Sequence, residues 1–409
     1  EWSIPGNTNE AINSKCSLRE ALQAVVGKVN GNQGCGYVAP NESDYVLEMM
    51  PGTYKLTKAA NKPDELPNFG GGKKVTIDGF NTVVIDGGKS SGRYAGIFKV
   101  VGGWLVLKNV TMQNGSASFG CAINQSGGTV EIDNAIFKEN DCVTNASDVQ
   151  GEGGAIYSSG QLSVTNSLFD SNGARLYGGA IASGGVVYLQ NVTFSKNFAW
   201  LGGGAISHAA GNMIVVESLF EKNSIVGHPN TPNPYNHLAD YGSGGAIRNA
   251  GNLTLNKVAF QGNYTNKVKG GGALGNEGGT VYVYDSGFKA NKANPQAQVT
   301  FTYGGAIYNA GTLQLVRSTL YQNEASYGGA IFNRLGEAKI ANSTISSNKA
   351  TKEAPGIGNG HISFPNSENG LVWIDQSTVV YNTDASGKYH SLYSYKPHKY
   401  TVLNSLFDG

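Results

Sequence analysis

The sequence predicts an all-β chain wound into a parallel β-helix, and three observations carry that prediction. First, a phrase Gly-Gly-Ala-Ile recurs at Gly153–Ile156, Gly178–Ile181, Gly203–Ile206, Gly244–Ile247, Gly304–Ile307 and Gly328–Ile331, with Leu274 closing the copy that begins at Gly271. Second, nearly every copy is answered downstream by Phe-x-x-Asn, from Phe137 with Asn140 through Phe169, Phe194, Phe220 and Phe260 to Phe288 with Asn291. Leu320 with Asn323 and Ile345 with Asn348 are weaker copies. Third, the tightest spacing is about 25 residues, which suits one coil of a solenoid.

The strand comes between the two phrases. Asn252-Leu253-Thr254-Leu255-Asn256 and Thr312-Leu313-Gln314-Leu315 place apolar residues at every second position, so one face of each strand turns inward. No long 3.6-residue period occurs, which excludes stacked helical repeats. Each coil should then rise by about 4.8 Å, the separation of paired strands. The paired glycines allow positive φ and close approach of backbones at a corner. Alanine fits the narrow interior beside them, and Ile and Phe fill the wider part. The Asn that closes Phe-x-x-Asn is expected to tolerate a left-handed bend and to stack with its copies as an amide ladder.

The N-terminal third carries the same pattern in worn form. Residues 1–44 are expected to form a cap: Ser17 as N-cap with Glu20 completing a capping box, then Leu18, Ala21, Leu22, Val25 and Val26 on the apolar side of a short helix. Such a helix would cover the exposed edge of the first coil. From residue 45 to 409 the reading is one parallel β-helix. Val46–Tyr54, Val75–Gly79, Val83–Gly88 and Leu105–Thr111 read as strands and turns, leading to a degenerate corner at Gly120–Ile123. The far end decays through Leu371–Ile374 to Tyr400–Leu403, and nothing like the N-terminal helix follows it. Contact of that end with another copy would be heterologous and would extend into filaments, so end-to-end self-association is one expectation and truncation of a longer chain is its rival.

Composition narrows the partners. With 58 glycines among 409 residues, 14% charged residues and a formal net charge of +1, the chain has no basic stripe for nucleic acid. No apolar run reaches the roughly 18 residues that span a bilayer. No charged-then-apolar leader stands at Glu1, so a leader is expected to have been removed already. Four cysteines allow three pairings. Cys121 replaces the second glycine of a corner and Cys142 lies just past the Asn that closes the same coil, which brings them about one rung apart. That leaves Cys16 with Cys35 as a staple of the N-terminal segment. Two disulfides imply an oxidising compartment. No Cys-x-x-Cys or histidine cluster suggests a metal, and no cofactor is expected.

The stretch Cys16-Ser17-Leu18-Arg19-Glu20-Ala21 resembles the signature that opens many exported bacterial β-helix proteins, and Pro51-Gly52-Thr53-Tyr54 continues the likeness. The paired repeats resemble those of chlamydial polymorphic membrane proteins and related autotransporter passengers. The resemblance implies a right-handed, pectin-lyase-like solenoid with bacterial-type export, secreted or at the cell surface. The sequence departs from the autotransporter pattern in that no membrane barrel follows the repeats here, so the barrel is expected either to have been removed or to be replaced by another mode of anchoring or release.

Extra residues enter mostly between the Asn of one coil and the glycines of the next, notably 224–243, 141–152 and 292–303. Because that position repeats, the loops emerge along one face. Tyr177, Trp200, Tyr235, His237, Tyr241, Tyr303 and Tyr327 are the candidate ligand-binding residues there, as rings that stack on sugars; the rival reading has them stack on one another. The set best suited to catalysis is His208, Tyr241 and Arg248: a cation to neutralise a uronate carboxylate and a base to take the adjacent proton. Against it, His208 sits in a slot that holds Asn in later coils. No repeating carboxylate pair of the kind a glycoside hydrolase needs is present. Scaffold therefore accounts for nearly every distinctive residue, and the first reading is an extracellular structural or adhesive surface protein, its partners itself or extracellular glycans. The alternative is a carbohydrate-active enzyme, a polysaccharide lyase or glycoside hydrolase, acting on an acidic polysaccharide.

Overall fold

One coil explains the rest. From the corner glycines Gly178 and Gly179 the chain runs through a corner strand, Ile181–Ser183, and a long strand, Val186–Gln190. A phenylalanine strand, Thr193–Ser195, and a short strand, Phe198–Ala199, return it to the next corner. Each strand pairs in parallel with its copy in the coils before and after, so Ile181 lies between Ile156 and Ile206, and Phe194 between Phe169 and Phe220. The result, a computed structural model, is a right-handed parallel β-solenoid described over residues 18–25, 43–56, 66–89, 96–142, 151–225, 242–266, 269–294, 301–360, 370–395 and 399–408.

Alternation along each strand builds the core. Inward Ile, Val and Leu are buried together with the corner alanines, and the Phe column stacks face to face from Phe137 to Phe288 with centroids 4.6–4.9 Å apart. The N-terminal helix, Leu18–Val25, buries Leu18, Ala21, Leu22 and Val25 in the same core, and Lys73 Nζ donates to its last carbonyl, Val25 O, at 2.9 Å. Ser17, Val26, Cys16 and Cys35 lie outside the described residues. Cys121 and Cys142 form a disulfide with Cα atoms 5.8 Å apart, as one rung of separation predicts. In the first coils, the two strands expected near residues 75–88 are a single bent strand, Lys74–Asp86, with the bend at left-handed Phe80 and Asn81. On the last described coil, Val402 and Leu406 are 40% and 61% exposed.

The turns correct two expectations. The closing Asn of Phe-x-x-Asn is not the left-handed residue; the residue before it is, as at Glu139, Ser171, Lys196 and Lys222. That bend frees the Asn side chain to point inward, where Asn140, Asn172, Asn197, Asn223, Asn263, Asn291, Asn323, Asn348 and Asn382 form an unbroken amide ladder. Each Nδ2 donates to the next Oδ1 at 2.9–3.0 Å. At the corners only the first glycine needs positive φ (Gly178 at 67°, Gly304 at 67°). The second is a glycine for lack of room: a Cβ on Gly179 would sit 2.1 Å from Gly204 O.

Candidate functional site

The corner strands present their outward residues beside the loop-bearing corner, and there one charged group is deeply set. Arg248 is the middle residue of Ile247–Asn249, between Ser207 and Gly275 of the neighbouring coils. Its Nε and Nη2 reach Glu277 Oε2 at 2.8 and 2.7 Å, and Nη1 donates to Ser207 Oγ at 3.3 Å. The guanidinium lies 4.8 Å from the centre of the Tyr177 ring. Gly202 makes this possible, because a Cβ there would stand 2.6 Å from Arg248 Cδ. Glu277 also accepts from Ser243 Oγ at 2.9 Å and from Lys269 Nζ at 3.3 Å. Two cations thus share one carboxylate, with the Arg248, Lys269 and Glu277 side chains 19%, 26% and 11% exposed.

Glu152 adjoins this cluster. Its backbone bridges to Tyr177 in the next coil and to Phe119 in the one before. Burial pushes its carboxyl above the usual range, and the nearby Arg248 charge opposes the shift only in part. Burial likewise raises the Tyr177 phenol, with Arg248 opposing and Glu277 and Glu152 reinforcing. At neutral pH the phenol is therefore protonated.

The expected grouping of His208 with Arg248 fails for a reason of register. Ser207, not His208, pairs with Arg248, and alternation then turns the two side chains to opposite faces. His208 is completely buried inside the coil, in the column that holds Asn249, Asn276, Asn309, Asn333 and Asn359 further on. Its Nε2 meets Gly211 O at 3.2 Å, its Nδ1 is buried with no hydrogen-bond partner, and burial lowers its pKa. It fills an interior slot and cannot touch a ligand. Tyr235, His237 and Tyr241 lie outside the described residues.

The aromatic row divides. Tyr177 serves the Arg248 cluster. Trp200 is buried, 5.2 Å from the Arg175 guanidinium. Tyr303 is 8% exposed, stacked 5.7 Å from Tyr327 and packed 4.4 Å from Phe332, and burial drives its phenol strongly upward. These two tyrosines pack on each other rather than forming an open platform. Elsewhere, a cleft of about 400 Å³ is lined by Lys89, Asn114, Glu139, Asp141, Ser171 and Phe198, and its Lys89 and Asp141 are ion-paired.

Glu277, Lys269, Glu152 and Ser207 were not singled out by the sequence. The signal for Glu277 was available: it follows the strand that pairs with Ile247–Asn249, so register places it within reach of Arg248. No helix among the described residues is long and apolar enough to cross a membrane.

No protein-family model matches the chain, and no curated protein is detectably similar in sequence. A periplasmic alginate epimerase, AlgG, superposes at 10% identity and a TM-score of 0.40, over 96% of this chain and 83% of that one. A mannuronic-acid-specific polysaccharide lyase of family 6 from human gut microbiota does so at 14% identity and a TM-score of 0.43, over 86% and 77%. At these identities and TM-scores the superpositions carry no argument about this chain.

Proposed function

We propose that this chain is a carbohydrate-active protein that takes an extracellular acidic polysaccharide at the Arg248 cluster and cleaves it by β-elimination. The observation that supports this is the sharing of one carboxylate, Glu277, by two partly exposed cations, Arg248 and Lys269, beside Tyr177 and Glu152. Two cations on one carboxylate leave positive charge for a uronate. That charge would stabilise the negative charge that develops on the uronate carboxylate when the proton next to it is removed.

In this reading ionised Glu152 removes the C5 proton. The electron pair of the broken C5–H bond becomes the C4–C5 double bond, the C4–O bond breaks, and the departing oxygen takes the proton of the Tyr177 phenol. Burial suits both groups to these roles, since it makes the Glu152 carboxylate more basic and keeps Tyr177 protonated. His208, the base expected from the sequence, has no part in it.

A screen of alginate, polygalacturonate and other uronate polymers by absorbance of the unsaturated product tests the proposal. Arg248→Ala should lower turnover by about 100-fold or more, and Glu152→Gln should abolish its rise above the carboxylate range of pH. Absence of unsaturated product from every uronate polymer would sink it. The adhesive reading has one observation in its favour: Arg248 already spends Nε, Nη2 and Nη1 on Glu277 and Ser207. Retention on uronate polymers without any product would support that reading instead.

A further inference from the structure

The long strands turn a different surface to solvent. On the six consecutive strands from Gln161–Thr165 to Thr312–Val316, no outward residue carries a charge. The block begins with Gln161, Ser163 and Thr165 and ends with Thr312, Gln314 and Val316. Charge resumes on the adjoining strand at each side, with Glu131 and Asp133 before it and Glu337 and Lys339 after it. Within the block, Val186 is 52%, Tyr188 37%, Ile214 44% and Tyr282 37% exposed.

The exposed rings are also spaced regularly. In register, Tyr188 and Tyr282 stand three coils apart in one column, through Ile214 and Thr254. Trp373 follows Tyr282 by three further coils, through Gln314 and Lys339. Trp104 lies three coils before the Tyr188 strand, through Thr129 and Gln161. At about 4.8 Å per coil the rings of the one column, Tyr188, Tyr282 and Trp373, recur every ~14 Å, and Trp104 stands two residues to one side of it, in register with Val186. The Tyr188 hydroxyl donates to Gln190 Oε1 at 2.8 Å, which holds its ring in place.

We infer that this face docks an uncharged polysaccharide in extended form, lying along the solenoid axis. The strands offer no charge to nucleic acid or an acidic polymer, whose binding depends on countercharge, and the charges that directly follow them are paired with each other, Lys257 with Glu217 and Arg317 with Asp285. Rings offer flat apolar faces to the C–H faces of sugars, and the Thr, Asn and Gln between them offer hydrogen bonds to hydroxyls. The rise of one coil is close to the advance of one sugar in an extended pyranose chain. A chain with a threefold screw would therefore show the same sugar face to each ring. The site is separate from the Arg248 cluster and does not depend on the reaction proposed there.

Affinity electrophoresis and pull-down of the full chain on xylan, mannan and cellulose test this. Retention on at least one neutral polymer is expected, unchanged between about 0.1 and 1 M salt. Tyr188→Ala with Tyr282→Ala should weaken it at least about tenfold while melting stays put, and Arg248→Ala should leave it intact. No retention on any of the three, retention that survives the double substitution, or retention lost in salt would overturn the inference. So would a concentration-dependent dimer in light scattering that disappears in the double variant, since the face would then be covered by a second copy.

Discussion

The ladder that begins at Asn140 and the column that begins at Gln125 run through the same coils, but only the first keeps one residue type throughout. In the ladder every amide donates to the next rung and to a backbone carbonyl, as Asn223 does to Asn263 Oδ1 at 3.0 Å and Phe194 O at 2.9 Å. The second column matches it only from Asn249 onward. Before that it holds Gln125, Ser158, Ser183 and His208, and Asn249 Oδ1 is left buried without a partner beside the equally unpartnered His208 Nδ1. The ladder lies where packing alone selects the residue. The irregular half ends at His208, behind the outward Ser207, whereas Arg248 stands outward on the strand of Asn249, where the regular half begins. The break in the column thus falls between the two strands that meet at the Arg248–Ser207 contact.

The largest effect should come from a change that breaks both columns together. A Cβ on Gly305 would lie 2.1 Å from Gly329 O and 2.5 Å from Glu324 N, so Gly305→Val must push two coils apart. A loss above about 3 kcal/mol in denaturant unfolding is expected, since the clash is with backbone and cannot be relieved by a rotamer. Gly184→Val is the control, because a Cβ there meets nothing within 4 Å. Similar losses in both would refute close approach as the reason for the corner glycine.

Next in size is a break in the regular ladder alone. Asn223→Ala removes the acceptor of Asn197 N and Nδ2 and one donor to Phe194 O, all in the dry interior. About 2–3 kcal/mol should be lost. Ser183→Ala, in the irregular column, removes only an acceptor of Gly185 N at 3.2 Å and should cost less than about 1 kcal/mol. Equal costs would mean that the ladder has no special standing.

The repeat made the solenoid legible because inward positions recur once per coil. Cys121 with Cys142 followed from the same arithmetic. Arg248 was found, but its company was not. The reading paired it with His208 by proximity to adjacent corners, whereas one position of register decides which side of a strand a residue faces. Glu277 and Lys269 lie outside the repeated phrases, and Gly202, which looks like one more glycine of its corner, is the gap through which the Arg248 stem passes. Burial of Tyr303 and Trp200 depends on neighbours from other coils, such as Phe332 and Arg175, which no single coil predicts.

The smallest expected effect has the opposite sign. His208→Asn would extend the regular half of the column by one rung, offering Asn249 Oδ1 the Nδ2 donor it lacks while a second hydrogen still reaches Gly211 O. A gain of about 1 kcal/mol is expected at pH 8. Acid should widen the gap. Burial holds the folded pKa of His208 below its ordinary value of about 6.5, so the unfolded chain takes up a proton there before the folded one does. The stability tied to neutral His208 is therefore present above pH ~6.5 and lost as pH falls toward the folded pKa, by at most about 1.4 kcal/mol per pH unit. Asn does not titrate, so the variant escapes this loss. Unfolding midpoints of both proteins at pH 8 and pH 5 give the answer. A gap that stays constant with pH would show that His208 is not held neutral, and a loss on substitution would show that the imidazole fills space an amide cannot.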